Sequence, residues 1–250
     1  MARSRIRLGE LLRSPTMGDI ARQTQSSGIG KYARVAQRHI VPVMGNSVRA
    51  ASLSLRPAAA TVEDGLVFAR LLDEAQEGMY RKVLGRRAGN IVARAFTQPG
   101  NDLSYQYVIF AEQSGRIVGM ASGYTAQAHR HFTDQILEAA AGWRRYRWAV
   151  FVRVARRVFR FIDTVPDGDF YVRALAVEPS DRGAGIGTLV LGALEDTALA
   201  AGSKRFALDV AAKNHNARRL YERLGMTAEA ESPRWFHLPN TNLIRMVKTL

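Results

Sequence analysis

Residues 182–188 read Arg-Gly-Ala-Gly-Ile-Gly-Thr and stand between two strongly apolar segments. Before them, residues 170–177 (FYVRALAV) predict a buried central strand, and Pro179 ends it. After them, a helix is predicted from the spacing of Leu189, Leu191, Leu194, Thr197 and Leu199. The predicted order is therefore a strand, a glycine-rich turn and a helix.

A glycine-rich turn that leads into a helix is suited to binding an anion such as a pyrophosphate. Its backbone N–H groups are unhindered, and the positive end of the helix dipole lies beside them. We expect a Cβ at Gly185 or Gly187 to crowd the approach of such a ligand.

The spacing argues against two other phosphate-binding motifs. A Rossmann fingerprint has G-x-G-x-x-G directly after its strand. Here the pattern is G-x-G-x-G, and five residues, including Pro179, separate it from Val177. A Walker loop has Gly-Lys-Ser/Thr, whereas Gly187 is followed by Thr188 with no lysine.

A second strand and a second helix follow the first pair. Residues 205–210 predict a buried strand, and residues 214–226 (NHNARRLYERLGM) predict a helix. Asn214 or Asn216 can cap this helix, and Gly225 ends it. Its buried stripe consists of Ala217, Leu220 and Leu224.

Together, these segments resemble the GCN5-related N-acetyltransferase (GNAT) family. The family pattern Arg/Gln-x-x-Gly-x-Gly/Ala, which binds the pyrophosphate of coenzyme A, is matched by Arg182, Gly185 and Gly187. The family pattern Asn-x-x-Ala-x-x-Leu-Tyr is matched by Asn214, Ala217, Leu220 and Tyr221. The resemblance covers about residues 48–250, and residues 243–248 correspond to the closing strand.

The resemblance implies an α/β fold with a mixed sheet, in which the strands at 170–177 and 205–210 splay apart. Acetyl-CoA would lie in that gap as the cosubstrate, with no metal ion, and would bond backbone groups that the splay leaves free. The residues implied in binding it are Leu175, Ala176, Val177, Arg182, Gly183, Ala184, Gly185, Ile186, Gly187, Thr188, Asn214 and Tyr221.

The implied activity is that of an acetyl-CoA-dependent N-acyltransferase, in which a primary amine attacks the thioester directly. On family grounds Tyr221 donates to the departing thiolate, although it also fits a tyrosine that packs beside Leu220 and Leu224. A backbone N–H near Val177 can stabilise charge on the acyl oxygen. A GNAT-fold acyl-CoA-binding module without catalysis is the alternative.

No general base is assigned from the sequence. Several family members carry a glutamate on the fourth strand, where this chain has residues 171–173 (YVR). Asp169 and Glu112 are candidates that would act through water, but each also fits an ordinary solvated acid. If Arg173 lines the acceptor groove, it would repel cationic acceptors and favour those with a carboxylate or phosphate; strand alternation leaves its direction open.

The segment before the motifs predicts further elements of the domain. Residues 51–56 alternate as a half-buried strand does, and residues 62–84 predict one helix. Residues 85–100 predict a loop with a short helix. Residues 105–112 and 116–124 predict a hairpin that turns around Ser114 and Gly115.

Residues 126–165 predict a basic helical insertion, with one amphipathic helix at about 143–162. One sector of this helix holds Arg153, Arg156, Arg157 and Arg160. The opposite side holds Val150, Phe151, Val154, Ala155, Val158, Phe161 and Ile162. A solvated arginine face and a face that binds an acidic acceptor, a polyanion or a membrane both remain open. His129 and His131 are interpreted as surface histidines.

Composition limits the class of protein. The 250 residues carry a net charge of +14 and no cysteine, which excludes disulfides and thiolate chemistry. No apolar stretch approaches the roughly 20 residues that span a bilayer, so we expect a cytoplasmic protein. The excess charge lies in residues 1–56 (+8) and 126–160 (+6), so the two motif segments do not indicate a nucleic-acid module.

Residues 1–47 are predicted to form a basic, disordered extension; an organelle-targeting peptide, an arm that contacts polyanions and translation from Met44 are the alternatives. Residues 48–250 are predicted to form the GNAT-like domain. Nucleic-acid or anionic-membrane contact through the basic segments, and a homodimer, are compatible with the sequence. The amine acceptor, whether small molecule or protein, is left open.

Overall fold

The computed structural model describes Ile40–Val41, residues 53–233 and residues 242–250. The strands are β1 (Ile40–Val41), β2 (Leu53–Pro57), β3 (Val108–Gln113), β4 (Arg116–Thr125), β5 (Asp169–Val177), β6 (Arg205–Ala211), β7 (Thr227–Glu231) and β8 (Leu243–Thr249). The α-helices are α1 (Val62–Ala75), α2 (Met79–Leu84), α3 (Ala88–Phe96), α4 (Ala126–His129), α5 (Gln135–Ala141), α6 (Arg145–Val154), α7 (Arg156–Ile162), α8 (Ile186–Ala200) and α9 (His215–Arg223).

The strands form one mixed sheet in the order β1-β2-β3-β4-β5-β6-β8-β7. Strands β5 and β6 run parallel, and the other neighbouring pairs are antiparallel. This architecture confirms the predicted α/β fold with a mixed sheet. The hairpin β3–β4 is also confirmed, because both residues of its turn, Ser114 and Gly115, have positive φ angles of 52° and 76°.

Two apolar layers cover the two faces of the sheet. On one face, α8 places Val190 and Leu194 against Phe170 and Phe206, whose rings stack with centroids 5.7 Å apart. On the other face, α1, α2 and α3 pack against β3 and β4, and Phe68 is among the buried residues of this layer. The central strands are therefore buried on both sides, which explains their nearly continuous apolar sequence.

At its N-terminal edge the sheet includes a short strand from the predicted extension. Ile40 pairs with Ser54, and Val41 pairs with Leu53. The other residues of segment 1–47 lie outside the described residues, so the extent of the extension stays a prediction.

The prediction of one helix over residues 62–84 is wrong. The chain leaves α1 at Gln76 and enters α2 after Gly78, because Glu77 and Gly78 adopt positive φ angles of 53° and 77°. Helix α1 does begin as predicted, where the Thr61 side chain accepts a hydrogen bond from the Asp64 N–H.

Residues 85–100, predicted to be mainly loop, contain the buried helix α3. Its apolar face packs on α1 so closely that a Cβ at Gly65 would lie 2.9 Å from the Ala93 carbonyl oxygen. The short helix predicted within this loop is therefore confirmed, and packing against α1 stabilises it.

The predicted helix at 143–162 is two helices, α6 and α7, separated at Ala155. This residue is buried and has left the helical conformation, with φ −86° and ψ 11°. The bend brings Phe159 of α7 into edge contact with Trp148 and Phe151 of α6, with centroids 6.1 and 5.6 Å apart. Val150 and Val154, expected on the packed side, are 62% and 59% exposed.

Among the helices of the described ranges, none is long and apolar enough to cross a membrane.

Strand β5 contains a β-bulge at Arg173. Across from it, Ser122 pairs with Ala174 and Gly123 pairs with Val172, so Arg173 is an extra residue in β5. The bulge resets the alternation of side chains, because Val172 packs in the α8 layer while Ala174 packs in the opposite layer. Arg173 is thereby directed to the face that carries α1 and α2.

Candidate active site

The site begins where β5 and β6 separate. They pair over Asp169–Val172 and Arg205–Leu208 only. Beyond this point β5 continues against β4 as far as Val177, and β6 continues against β8 as far as Ala211. Backbone groups of residues 174–177 that face β6 therefore have no ladder partner there. This is the splay that the family resemblance implies.

The glycine-rich turn lies at the end of the gap. Gly183 and Gly185 adopt φ angles of 86° and 81°, and helix α8 begins at Ile186 without a side-chain cap. The N–H groups of its first turn are thus left for another acceptor. Added Cβ atoms would meet open space at Gly183 and Gly185, whereas a Cβ at Gly187 would make ordinary contacts with Leu220 and Val177 at 3.5 and 3.8 Å.

The Arg182 side chain does not extend freely into the gap. Its Nε donates to the Val177 carbonyl oxygen at 3.1 Å, and its Nη2 donates to Glu74 at 2.7 Å. Arg182 therefore fixes the turn against both the end of β5 and helix α1. A direct contact with pyrophosphate stays a prediction.

One cavity of about 1300 Å³ joins these elements. All the residues predicted to bind acetyl-CoA line this cavity except Ala184. They are Leu175, Ala176, Val177, Arg182, Gly183, Gly185, Ile186, Gly187, Thr188, Asn214 and Tyr221. Asn214 lies there because its side chain caps α9, accepting from the Ala217 N–H at 3.1 Å. An acetyl-CoA molecule fits this arrangement, since the gap offers unpaired backbone groups and the turn offers an open anion site.

Tyr221 projects from α9 into the same cavity and is 8% exposed. Burial raises the pKa of its hydroxyl to about 12. The hydroxyl has no hydrogen-bond partner among the described residues. A packing role would need only the ring, so the unpartnered hydroxyl at the cavity wall is compatible with a chemical role.

Arg173 lines the other end of the cavity, but its charge is compensated. Its Nε donates to Asp102 at 2.8 Å, and its Nη2 donates to the Tyr80 hydroxyl at 3.1 Å. Tyr80 is itself held by a stacked contact with Trp148, with centroids 5.7 Å apart. Although Arg173 does line the groove, the expected preference for anionic acceptors does not follow, because Asp102 already occupies its guanidinium.

Two more carboxylates, Asp134 and Asp163, line this end of the cavity. Both reach solvent, yet neither has an ion pair or a hydrogen bond through its side chain within the described ranges. Desolvation and then the negative charges of Asp134 and Asp102 raise the pKa of Asp163 to about 6. Desolvation and then Asp102 and Glu138 also raise the pKa of Asp134.

Aromatic rings complete the wall beside these acids. Tyr124 is 2% exposed, stacks on His129 at 5.5 Å and meets Phe132 edge-on at 4.8 Å. His129, interpreted from the sequence as a surface histidine, is half-buried, and desolvation lowers its pKa. His131 is exposed, as expected. Within the described residues, no group of three or more His, Asp or Glu could hold a metal ion.

The two candidate bases from the sequence are elsewhere. Asp169 is 2% exposed at the start of β5, where it pairs with Arg205 at 3.0 Å. Glu112 pairs with Arg56 at 2.9 Å. Neither residue lines the cavity. The carboxylates at the Arg173 end of the cavity, Asp102, Asp134 and Asp163, come from three separate segments, so no spacing in the sequence connected them.

Splayed central strands with a glycine turn at a helix start define a protein of the acyl-CoA-binding class. The chain belongs to the acetyltransferase (GNAT) family, whose model matches residues 68–226. No curated protein matches the chain.

Solved structures share the fold. One, described as an acetyltransferase, is 24% identical, with a TM-score of 0.57 over 78% of this chain and 98% of its own. Another, an N-acetyltransferase from Staphylococcus aureus Mu50, is 16% identical, with a TM-score of 0.56 over 78% of this chain and 99% of its own.

Changing Asp163 to Asn should stabilise the protein near neutral pH. Because the folded-state pKa of Asp163 is raised to about 6, the stability that its neutral form contributes is complete below about 4 and is lost as pH rises through 6. The free energy of unfolding of Asp163→Asn should therefore exceed that of the wild type at pH 7, and the difference should shrink towards pH 4. Urea denaturation at both pH values measures it.

Asp167→Asn is the matched control, because this exposed carboxylate is paired with Arg130 and lies outside the cavity. It should not stabilise the protein at pH 7. A lower stability of Asp163→Asn at pH 7 would show that Asp163 has a compensating partner.

Proposed function

We propose that the protein is an N-acetyltransferase that transfers the acetyl group of acetyl-CoA to a primary amine by direct attack. The observation that supports this most strongly is the single cavity that runs from the glycine turn, through the gap between β5 and β6, to the acidic and aromatic end. Family membership supports acetyl transfer in general. The cavity supports the binding of acetyl-CoA and an amine next to each other in one continuous space.

The chain offers acetyl-CoA mainly backbone groups. The turn at Gly183 and Gly185 and the start of α8 would hold the pyrophosphate, and the free edge at Leu175 and Val177 would hold the pantetheine arm. When bound, acetyl-CoA supplies the thioester carbonyl that an amine can attack. A backbone N–H near Val177 would donate to the acyl oxygen.

Tyr221 would act on the sulfur by hydrogen bonding. Its pKa of about 12 lies well above the roughly 8.5 of an ordinary thiol, so full proton transfer from Tyr221 to a thiolate is unfavourable. A tyrosine that stays protonated can still donate a hydrogen bond and reduce the charge on the leaving sulfur.

Acetyl-CoA should stabilise the protein against unfolding, whereas NAD should not. At about 100 times its dissociation constant the ligand should add roughly 2.7 kcal/mol, which thermal unfolding can measure. Gly185→Ala should weaken this effect. Gly202→Ala is the matched control, because Gly202 also has a positive φ (77° against 81°) and open space around its Cβ, but lies at the far end of α8.

Equal acetyl-CoA shifts in the two glycine variants would remove the turn from the binding site. A shift with NAD and none with acetyl-CoA would reject the proposed function as a whole.

Changing Tyr221 to Phe should slow acetyl transfer by roughly 10² or more while leaving acetyl-CoA affinity nearly unchanged. The ring remains to pack beside Leu220, and only the hydroxyl is lost. Single-turnover rates separate chemistry from product release, and thermal unfolding checks the fold. Rates equal to those of the wild type across the pH range would make Tyr221 a packing residue.

A second role is favoured by the outer face of α6 and the turn before it. Trp143, Tyr146, Val150 and Val154 are 59–67% exposed. Val150 and Val154 follow Tyr146 at intervals of four residues, so they lie along one face of the helix. Two arginines flank this stripe: half-buried Arg144 lies over the Trp143 ring, and exposed Arg145 lies over the Tyr146 ring.

We propose that this stripe contacts an anionic lipid surface. Aliphatic and aromatic side chains bordered by arginines suit the boundary between acyl chains and anionic headgroups, whereas exposed valines offer a nucleic acid neither stacking nor charge. The opposite side of α6 carries Trp148 and Phe151, which line the cavity, so the proposed membrane face adjoins the acceptor end.

Vesicles of phosphatidylcholine and phosphatidylserine should co-sediment with the protein, and Val150→Glu should reduce binding about tenfold or more. Val62→Glu is the matched control, because Val62 is also an exposed valine (57%) but belongs to α1. Equal losses in both variants, no binding to these vesicles, or preferential binding to duplex DNA would contradict the membrane role.

A further inference from the structure

The acceptor end of the cavity has an unbalanced negative charge. We define the acceptor end by Tyr124, His129, Phe132, Asp134 and Asp163, all of which line the cavity. The nearby Arg173–Asp102 ion pair, at 2.8 Å, contributes no net charge. Among the described residues, no cation forms an ion pair with Asp134 or Asp163.

The basic residues of the insertion do not compensate these acids. Arg153, Arg156, Arg157 and Arg160 are exposed and do not line the cavity. Arg130 is paired with Asp167 outside it. Among the described residues that act electrostatically on Asp163, the positive charge is that of Arg173, which Asp102 already neutralises. Asp134 and Asp163 lie close enough to repel each other, and a cation that binds between them would relieve this repulsion.

Tyr124 gives an independent indication of a ligand. It is 2% exposed and lines the cavity, and its hydroxyl has no hydrogen-bond partner within the described part of the chain. Its ring is fixed by His129 and Phe132, so the hydroxyl cannot move freely to find one. This hydroxyl opens onto the cavity, so its hydrogen-bond partner must come from the contents of the cavity.

We propose that the acceptor is an aliphatic amine with a second positive charge, that is, a diamine or polyamine. This inference rests on the proposed function. The distal ammonium would lie between Asp134 and Asp163, and the alkyl chain would lie against the rings of Tyr124 and Phe132. The Tyr124 hydroxyl would orient the ligand by hydrogen bonding. The reacting amine then extends towards the gap that holds the thioester.

The reaction balances with no further reactant. The amine nitrogen forms an amide bond to the acetyl carbon as the carbon–sulfur bond breaks. The sulfur leaves with the electron pair of that bond, and the amine nitrogen loses its proton to solvent. No redox change occurs.

The test compares three acceptors of similar length: 1,4-diaminobutane, 1-aminobutane and 4-aminobutanoate. Thiol release from acetyl-CoA gives kcat/KM for each. We expect kcat/KM for the diamine to exceed that for the monoamine by at least about tenfold, since one charge pair near the protein surface is worth that much. The zwitterion should be the poorest acceptor, because its carboxylate would face Asp134 and Asp163.

Asp134→Asn and Asp163→Asn should each lower the ratio of kcat/KM for the diamine to that for the monoamine. Tyr124→Phe should raise KM for the diamine. Asp167→Asn is the control and should keep the wild-type ratio, because Asp167 does not line the cavity. Calorimetric titration of the protein–CoA complex with 1,4-diaminobutane measures binding even when turnover is low.

Different results separate the two proposals. If acetyl-CoA does not bind, the proposed function fails. If acetyl-CoA binds but 1,4-diaminobutane neither binds nor is preferred over 1-aminobutane, this inference alone is overturned. Preference for 4-aminobutanoate, or a higher kcat/KM for a lysine-containing peptide than for the diamine, would also overturn it.

Discussion

The early end of the pairing between β5 and β6 is the constraint on which the site depends. After four paired positions each strand continues with a different neighbour, so a wedge opens in the middle of an otherwise continuous sheet. Backbone groups along that wedge need partners from outside the sheet. The glycine turn and α8 follow directly from the end of β5, and the bulge at Arg173 directs that side chain to the same cavity.

The charged side chains at the fork between β5 and β6 differ in their pairing from those at the acceptor end of the cavity. At the fork, the Tyr171 hydroxyl donates to Asp209 at 2.9 Å, and Arg245, 5% exposed, pairs with the same carboxylate at 2.8 Å. Arg245 also donates to the Phe161 carbonyl oxygen, which ties the helical insertion to the sheet. These buried charges are fully paired, whereas Asp134 and Asp163 have no ion pair within the described residues. Unpaired acids in a cavity are a cost to stability that ligand binding can offset.

Local patterns predicted the part of the cavity wall that offers backbone groups. The strand at 170–177, the turn at 182–188 and the cap at Asn214 each depend on neighbours in the chain, so they could be recognised one segment at a time. Helix boundaries were less predictable. The break at Ala155 depends on packing against other elements and leaves no distinct local pattern, whereas the short helix α3 was predicted without its bounds.

The sequence by itself determined the family, the strand–turn–helix order and Tyr221 as a residue of the cavity, because these properties follow from short-range spacing and from glycine conformations. Only the tertiary structure decided the character of the acceptor end. Asp102, Asp134 and Asp163 are far apart in the chain, and Arg173 could have faced either way along its strand. Whether those charges compensate one another depends on the distances between them in space. The bulge in β5 and the fold of the insertion determine these distances.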